Sequence, residues 1–487
     1  MNCVDFLLKQ HTKHAGNFVL GRTAELSYSN LMAGVLKLSG WFNAHVGRSK
    51  NIILCMPNGP EFIQCYLAIM KSGNVVVPLN PAIEKDSFEQ ISKVCDAQCL
   101  ILSKQVVKRL NPTHNLILGE ENIANIIDTA TDIDWFNTAT KADDLAQIIF
   151  TSGSTARPKG VMISHNNIIA NTSSIVSYLN LSEKDIVEIV LPFFYCYGLS
   201  LLHTHLKVGG SVVLNNTFIF LNSVIEDLKK YNCTGFAGVP SHFQILLRKS
   251  DSFKTTEFPC LRYVTQAGGK LHTTFIEEFC KHLPKTNFYV MYGQTEATAR
   301  LSYLPPDRLA DKLGSLGKGI PNVELRVVDE NGAAVKPGEI GEIIAKGDNV
   351  MLGYYNEPQA TANVIKNGWL YTGDLAKVDD EGFIYHAARR KEIIKVGGRR
   401  VSPKEIEEVI VGINGVIDCT VEPIENEILG EAIKATLVIN KNYEQITETF
   451  VKKHCAHKLA SYKVPQEICF MENLKVNAAG KKVKAEK

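Results

Sequence analysis

The stretch TSGSTARPKGV, residues 151–161, has the makings of a polyphosphate cradle. An apolar run, 148–150, leads into a loop of small and hydroxylated residues that closes on Lys159-Gly160. Polyphosphate needs many donors on a chain that can approach it closely. Gly153 removes side-chain bulk, while Thr151, Ser152, Ser154 and Thr155 add hydroxyls to the backbone N–H groups, and Lys159 adds a positive charge. After the loop, 161–164 resumes strand character and a helix is expected from His165. The pattern is not a Walker A loop, since no GxxxxGK[ST] is present. A Ser/Thr/Gly loop of arbitrary order is more often a solvated turn; the order of residues here argues for phosphate.

TSGSTARPKGV resembles the TSGSTGxPKGV signature of the adenylate-forming superfamily, which holds acyl- and aryl-CoA synthetases, nonribosomal adenylation domains and firefly-type luciferases. Ala156 replaces the usual glycine, a strain if that position needs positive φ. Four further segments match the family in its expected order. YGQTE (292–296) follows an expected strand; the resemblance lays Tyr292, with Gly293, along adenine, puts Thr295 on phosphate and points Gln294 at the acid. A carboxylate beside phosphate makes chemical sense with a cation, so Glu296 is the expected magnesium ligand. YTGD (371–374) resembles the ribose motif, with Asp374 accepting from the hydroxyls. ARRKEIIKVGG (388–398) resembles GRxK(D/E)xIKxxG, with Ala388 in place of glycine. That match implies that Arg389 reaches the ribose, Lys391 is a hinge, Lys395 assists thioester formation and Gly398 borders the pantetheine tunnel. LKVNAAGK (474–481) is a degenerate match to LPKTxSGK, and it makes Lys481 the lysine that bridges carboxylate and α-phosphate during adenylation.

Two segments are implied to line the acid site. LPFFYCYG (191–198) carries Tyr195 where many relatives have His, a change expected to alter gating rather than remove it; Tyr197 and Gly198 would face the acyl group. TQAGGKL (265–271) resembles the SGAAPL turn: Gly268 and Gly269 allow close approach to adenine, and Ala267, where glycine is common, would narrow the pocket. No Asp or Glu stands in 194–201 to pair with a substrate α-amine, and a buried ammonium without a counter-charge is costly, which favours an acid lacking that group. His203 and His205 read as packing residues.

These residues need a scaffold that can present them. Apolar runs at 51–56 and 75–79 flank a helical pattern at 60–71, and the same rhythm recurs at 186–191, 211–214, 235–239, 261–265 and 287–291. Such alternation gives parallel sheets with helices on both faces. From 319 to 388 short alternating runs (323–328, 339–346) and turn signals indicate a β-rich subdomain. After Arg389 an α+β pattern begins, with a helix over 401–411 N-capped by Ser402 and a strand at 432–439. The expected fold is α/β: a large N-terminal domain of layered sheets with flanking helices plus the β-rich subdomain (1–388), and a small mobile α+β C-terminal domain (389–487).

Composition excludes several classes. A net charge of +2 is too small to make nucleic acid or a membrane surface the main partner, and no apolar run approaches the roughly 20 residues of a membrane span. The start of the chain lacks a leader-like apolar core, so a cytoplasmic location is expected, with the twelve cysteines, none in a CxxC pair, reduced. Cys95 and Cys99 are expected to pack, and His454, Cys455 and His457 lack a second ligand pair for a metal. The resemblance implies ATP, magnesium and CoA as cofactors and co-substrates. A small carboxylic acid would be activated as its acyl-AMP without a side-chain nucleophile, and its acyl group then passed to a thiol. A phosphopantetheinylated carrier protein is a second candidate acceptor. Two different functions are compatible with the same motifs: that of a non-catalytic nucleotide- or partner-binding relative, and that of a luciferase-like oxygenase.

Overall fold

The protein is described by a computed structural model over residues 1–21, 24–131, 135, 139–151, 158–389, 392–396, 399–426, 430–440, 443, 445–472 and 474, with Arg400 as backbone only. Among these residues four sheets form. The first unit sets the pattern. Asn51–Cys55 and Val75–Pro78 are strands buried along nearly their whole length, and Pro60–Lys71 between them is a helix with proline at its first turn. Gly73, at φ +81°, closes that helix and lets the chain return to a parallel register, Asn51 opposite Val75.

A seven-stranded sheet runs from Gly353–Tyr354 through Lys159–Ser164, Leu145–Thr151, Val75–Pro78, Asn51–Cys55 and Cys99–Leu102 to Ile117–Leu118. A nine-stranded sheet runs from Lys318–Gly319 through Ser302–Leu304, Asn287–Tyr292, Tyr263–Gln266, Gly235–Gly238, Ile186–Ile189, Ser211–Leu214 and Asn17–Leu20 to Leu26–Ser27. Both are parallel at their centres; the nine-stranded sheet turns antiparallel at both edges, the seven-stranded one only at the edge that carries Lys159–Ser164 and Gly353–Tyr354. The helix Cys196–Val208 is buried from Tyr197 to Leu206, and its core also contains Ile52, Val76 and Val161 of one sheet and Val187, Val212 and Tyr263 of the other. A helix buried on nearly every side in this way fits between two layers, with its Ser200, Thr204 and histidine side chains hydrogen-bonded inside.

The expected β-rich region is an antiparallel sheet of Glu324–Val328, Ile340–Lys346, Trp369–Val378 and Ile365–Lys366, with Ile384–Arg389 added to Trp369–Val378. The last sheet holds Arg399–Val401, Ile394–Val396, Gly430–Ile439, Val416–Asn426 and Glu467–Phe470, with the helices Pro403–Val411 and Glu448–Lys458. This is the α/β architecture expected, with a smaller α+β unit following the large one. Two local expectations shift. The strand expected at 261–265 is Tyr263–Gln266, because Leu261 N–H closes a turn on Phe258 O at 3.1 Å. Ser402 occupies the N-cap position of Pro403–Val411 without capping it; its hydroxyl instead donates to Ala387 O at 2.6 Å.

Cys95 and Cys99 are buried, as expected for packing residues. His203 and His205 pack too. His203 Nε2 lies 2.9 Å from the Tyr66 hydroxyl, which donates to Gln147 Oε1 at 2.7 Å, and His205 Nδ1 lies 2.9 Å from Leu201 O. Burial pulls His203 down to about 3 and, with it, His165, His205 and His242 down to about 4. These rings are neutral in the fold, whereas in the unfolded chain they take up protons below about pH 6.5. The unfolded state therefore binds more protons as pH falls from about 6.5 towards 4, and stability drops over that window. Thermal unfolding between pH 7.5 and 4.5 should show a melting temperature that falls with pH, and His203→Gln should flatten that slope; a slope identical to that of the parent would remove His203 from the account.

Candidate active site

Leu145–Thr151 and Lys159–Ser164 pair antiparallel with Thr151 opposite Lys159, so the two ends of the phosphate loop meet, and the Thr151 hydroxyl donates to Lys159 O at 3.4 Å. Ser152, Gly153, Ser154, Thr155 and Ala156 lie outside the described residues, as do Lys391, Gly398 and Lys481. Along the open edge of this hairpin, Gly353–Tyr354 adds a short strand with Tyr354 opposite Val161, and Tyr355 N–H donates to Gly160 O at 2.7 Å. The pairing brings the Tyr354 ring to Lys159, whose Nζ is 4.9 Å from the ring centroid. The Tyr354 hydroxyl donates to Glu296 Oε1 at 2.9 Å. Burial, with the Glu296 charge beside it, pushes this phenol far above its usual range, so it stays a neutral donor. The other Glu296 oxygen has no protein donor among the described residues. A carboxylate oxygen of that kind, beside a phosphate loop, fits magnesium, which takes one or two carboxylates and completes its shell with phosphate and water.

Glu296 lies in the 3-10 turn Thr295–Ala297 after the strand Asn287–Tyr292. The next residue, Thr298, has φ +63° and ψ −49°, and Ala299 N–H donates to Ala297 O at 2.6 Å, which makes a γ-turn. Positive φ at a β-branched residue is strained, by about 1–3 kcal/mol. Neighbours pin the turn. Thr298 Oγ1 donates to Asn349 O at 2.7 Å, Asn349 Nδ2 reaches Ala297 O at 3.3 Å and Arg300 O at 2.8 Å, and Asn171 Nδ2 reaches Arg300 O at 3.2 Å. The returning chain presses on Gly293, where a β-carbon would collide with Ala299 O. Thr295 Oγ1 lies 3.6 Å from Cys196 Sγ, and Gln294 Nε2 is buried with no acceptor among the described residues.

Asp374, in Trp369–Val378, is buried, and residues distant in sequence converge on it. Tyr292 donates to Oδ2 at 2.7 Å, Arg389 Nε to Oδ1 at 3.0 Å, and His386 Nε2 lies 3.6 Å from Oδ1. Burial opposes the carboxylate's charge, but the nearby His386 ring, the Arg389 charge and the Tyr292 hydrogen bond outweigh it and hold the carboxyl below its usual range. Burial and the Asp374 charge raise Tyr292 well above a normal phenol, so it too remains a donor. Ala388 sits buried in the adjoining strand opposite Leu375, at negative φ, so this position needs no glycine.

Of the residues expected to line the acid site, Tyr195 is the N-cap residue of Cys196–Val208, and Tyr197 turns inward to bond Thr265 O at 2.9 Å. The bare α-carbon of Gly198 makes room for Pro192 O. Ala267 is buried, its N–H donating to Gly238 O at 3.3 Å; Gly268 has φ +84°, which favours glycine; Gly269 faces Pro240. Lys395 is exposed on Ile394–Val396, its backbone N–H bonded to Glu431 Oε2 at 2.6 Å, and no described bond joins its ammonium to the other site residues. Three neighbours of the motifs belong to no motif themselves and are not singled out from the sequence: Tyr354, His386 and Arg300. Arg300 carries a sequence signal, as the one charge in the run Ala297-Thr-Ala-Arg-Leu301.

Residues 8–355 match the AMP-binding enzyme family and residues 405–481 match the AMP-binding enzyme C-terminal domain. The chain belongs to this family, as an AMP-forming ligase related to CoA ligases. It is 31% identical over 452 residues to the oxalate–CoA ligase of Arabidopsis thaliana, covering 88% of this chain and 86% of that one. It is 31% identical over 445 residues to the 2-succinylbenzoate–CoA ligase of Bacillus mycoides (strain KBAB4), covering 91% and 89%. It is also similar to the crystal structure of ATP-bound MatB from Rhodopseudomonas palustris, with a TM-score of 0.90 at 26% identity and 99% and 97% coverage.

Tyr354→Phe keeps the ring beside Lys159 and removes the bond to Glu296. A hydrogen bond to a charged group contributes about 1.5–3 kcal/mol, so acid-dependent pyrophosphate exchange should slow at least about 10-fold, with more magnesium needed for half-maximal rate. Unchanged magnesium dependence in a folded Tyr354→Phe protein would leave this tyrosine a packing residue only.

Proposed function

We propose that the protein activates a small carboxylic acid without an α-amino group as its acyl-AMP and passes the acyl group to CoA. The observation that carries this reading is the convergence of Tyr292, Arg389 and His386 on the buried Asp374. A desolvated carboxylate kept charged and oriented is suited to accept hydrogen bonds from a ribose. The relatives' names differ in the acid they give, oxalate, 2-succinylbenzoate and long-chain fatty acid among them, so the acid class comes from assay.

In the proposed first step, Thr151, Ser152, Gly153, Ser154, Thr155 and Lys159 hold the phosphates. Gly268, Gly269, Tyr292 and Gly293 flank the adenine, and Asp374 with Arg389 holds the ribose. A carboxylate oxygen attacks the α-phosphorus, the bond to the β-phosphate oxygen breaks, and pyrophosphate leaves. Thr295 steadies a phosphate oxygen, and Lys481 spans the attacking carboxylate and the α-phosphate, offsetting charge that grows there. Magnesium, when bound, supplies charge neutralisation on the phosphates, with Glu296 as its protein ligand. Gln294, with Tyr195, Tyr197 and Ala267, bounds the acid. In the second step a rotation about Lys391 withdraws Lys481 and brings Gly398 and Lys395 forward; a thiolate attacks the acyl carbon and AMP departs with the bonding pair.

Exchange of labelled pyrophosphate into ATP, tested with aryl, short-chain and medium-chain acids and with amino acids, should appear with one non-amino class. Adding CoA should then yield the thioester. Exchange confined to amino acids, or none while ATP still binds, would defeat this reading; an acyl-AMP that CoA cannot discharge would point to a carrier protein. Lys481→Ala should abolish exchange yet still form thioester from supplied acyl-AMP, and equal loss of both half-reactions would remove Lys481 from its role.

A further inference from the structure

Among the described residues two Lys or Arg side chains are buried, Lys71 and Arg300. Lys71 lies 2.6 Å from Asp5 Oδ1. Arg300, 3% exposed, has no carboxylate partner among the described residues. Its Nε points at Met291 Sδ, 3.3 Å away, a weak acceptor already shared with the Tyr178 hydroxyl at 3.0 Å. Its guanidinium lies over the Tyr197 ring, 4.0 Å from the centroid. A cation–π contact offsets part of the desolvation of a buried guanidinium, but a charge taken out of water ordinarily requires an anion.

The placement of this charge follows from the turn before it. Asn349 and Asn171 fix the Arg300 carbonyl, and Ala299 is folded onto Gly293, so the Arg300 backbone is held in place while its side chain stacks on Tyr197. With the ring stacked and Nε engaged, the terminal nitrogens have the neutral Tyr178 hydroxyl nearby but no carboxylate among the described residues. Two parallel N–H donors on a fixed plane match a carboxylate.

Resting on the ligase reading above, we propose that Arg300 binds a second carboxylate of the acid substrate, and that the protein activates a dicarboxylic acid. One carboxylate is adenylated; the other supplies the counter-charge that the folded chain withholds from Arg300. The device discriminates in both directions. A dicarboxylate pairs with the guanidinium, while an apolar tail at the same place would bury the cation unpaired.

The test measures kcat/KM for pyrophosphate exchange with matched acids (propanoate against malonate, butanoate against succinate, benzoate against phthalate) on the parent protein, Arg300→Met and Arg300→Lys. The parent should favour the dicarboxylate of at least one pair. Arg300→Met should lower that dicarboxylate-to-monocarboxylate ratio about 100-fold, and Arg300→Lys, which keeps the charge but not the fork, should fall between. A parent that prefers the monocarboxylate in every pair, or a ratio unchanged in Arg300→Met, overturns the assignment; equal losses on both acids would mean that Arg300 serves the reacting carboxylate. Calorimetric titration of malonate, succinate and phthalate with AMP present gives an independent reading. Dicarboxylate binding lost in Arg300→Met while AMP binding persists supports the assignment, and equal or absent binding in both proteins refutes it. That binding without exchange for any acid would overturn the ligase reading alone.

Discussion

The peptide from Ala297 to Arg300 cannot hold its own shape. Thr298 stands at positive φ in a γ-turn, a conformation that a free chain would leave. Three asparagines hold it in place. Asn167, on the helix His165–Leu179 that follows the phosphate hairpin, donates to Asp348 O and Val350 O at 2.7 and 2.9 Å and so fixes the peptide on either side of Asn349. Asn349 in turn bonds both ends of the strained turn, and Asn171, one helical turn beyond Asn167, takes Arg300 O as well. Amide side chains suit this work, since one group can donate to two carbonyls and cap the orphaned backbone of an irregular segment. The result is a rigid link: the element that follows the phosphate loop sets the position of Glu296 and Arg300.

Charge in this region is handled by burial with selected donors. Asp374 stays ionised in a place that would ordinarily neutralise it, because Tyr292, Arg389 and His386 each favour the anion. Glu296 receives one phenol and keeps one oxygen without a protein donor among the described residues. The two phenols are raised by burial, so neither competes by giving up its proton. Under the proposed chemistry, donors fixed in advance and removed from water would hold these two carboxylates in place without reorganising.

Much of this is legible in the sequence where recognition depends on residue order. The phosphate loop, YGQTE and TGD are marked by spacing, and the structure brings Thr151 to Lys159 and Tyr292 to Asp374. The strands and helices come through because apolar periodicity marks them directly, as with the helix Pro60–Lys71. What stays hidden depends on contacts that no local pattern encodes. Asn167, Asn171 and Asn349 act on carbonyl groups, which carry no side-chain signature. Tyr354 meets Glu296 only because its strand pairs with Lys159–Ser164. Ser402 looks like a cap by local rules, yet Ala387 O offers its hydroxyl a tertiary acceptor. Ala388 looks like a departure from a glycine motif, but its strand backbone is one any residue adopts.

The two units meet through apolar side chains of one shared core cluster, in which Leu271 and Phe275 stand with Ile406 and Ile410, and through polar contacts beside it. The turn that carries Gly268 and Gly269 ends in Lys270 and His272, and both contact one residue of the C-terminal helix Pro403–Val411. Lys270 Nζ lies 2.7 Å from Glu408 Oε1, and His272 Nε2 lies 2.7 Å from Glu408 O. The ion pair is partly open to water, with side chains 20% and 35% exposed, so it contributes little stability. A contact of that strength suits a joint that must open. The proposed rotation about Lys391 would break one weak ion pair and one hydrogen bond at this point, both replaceable by water. The links inside the larger unit, Asn349 to the γ-turn and Tyr354 to Glu296, are buried or half-buried and far costlier to break.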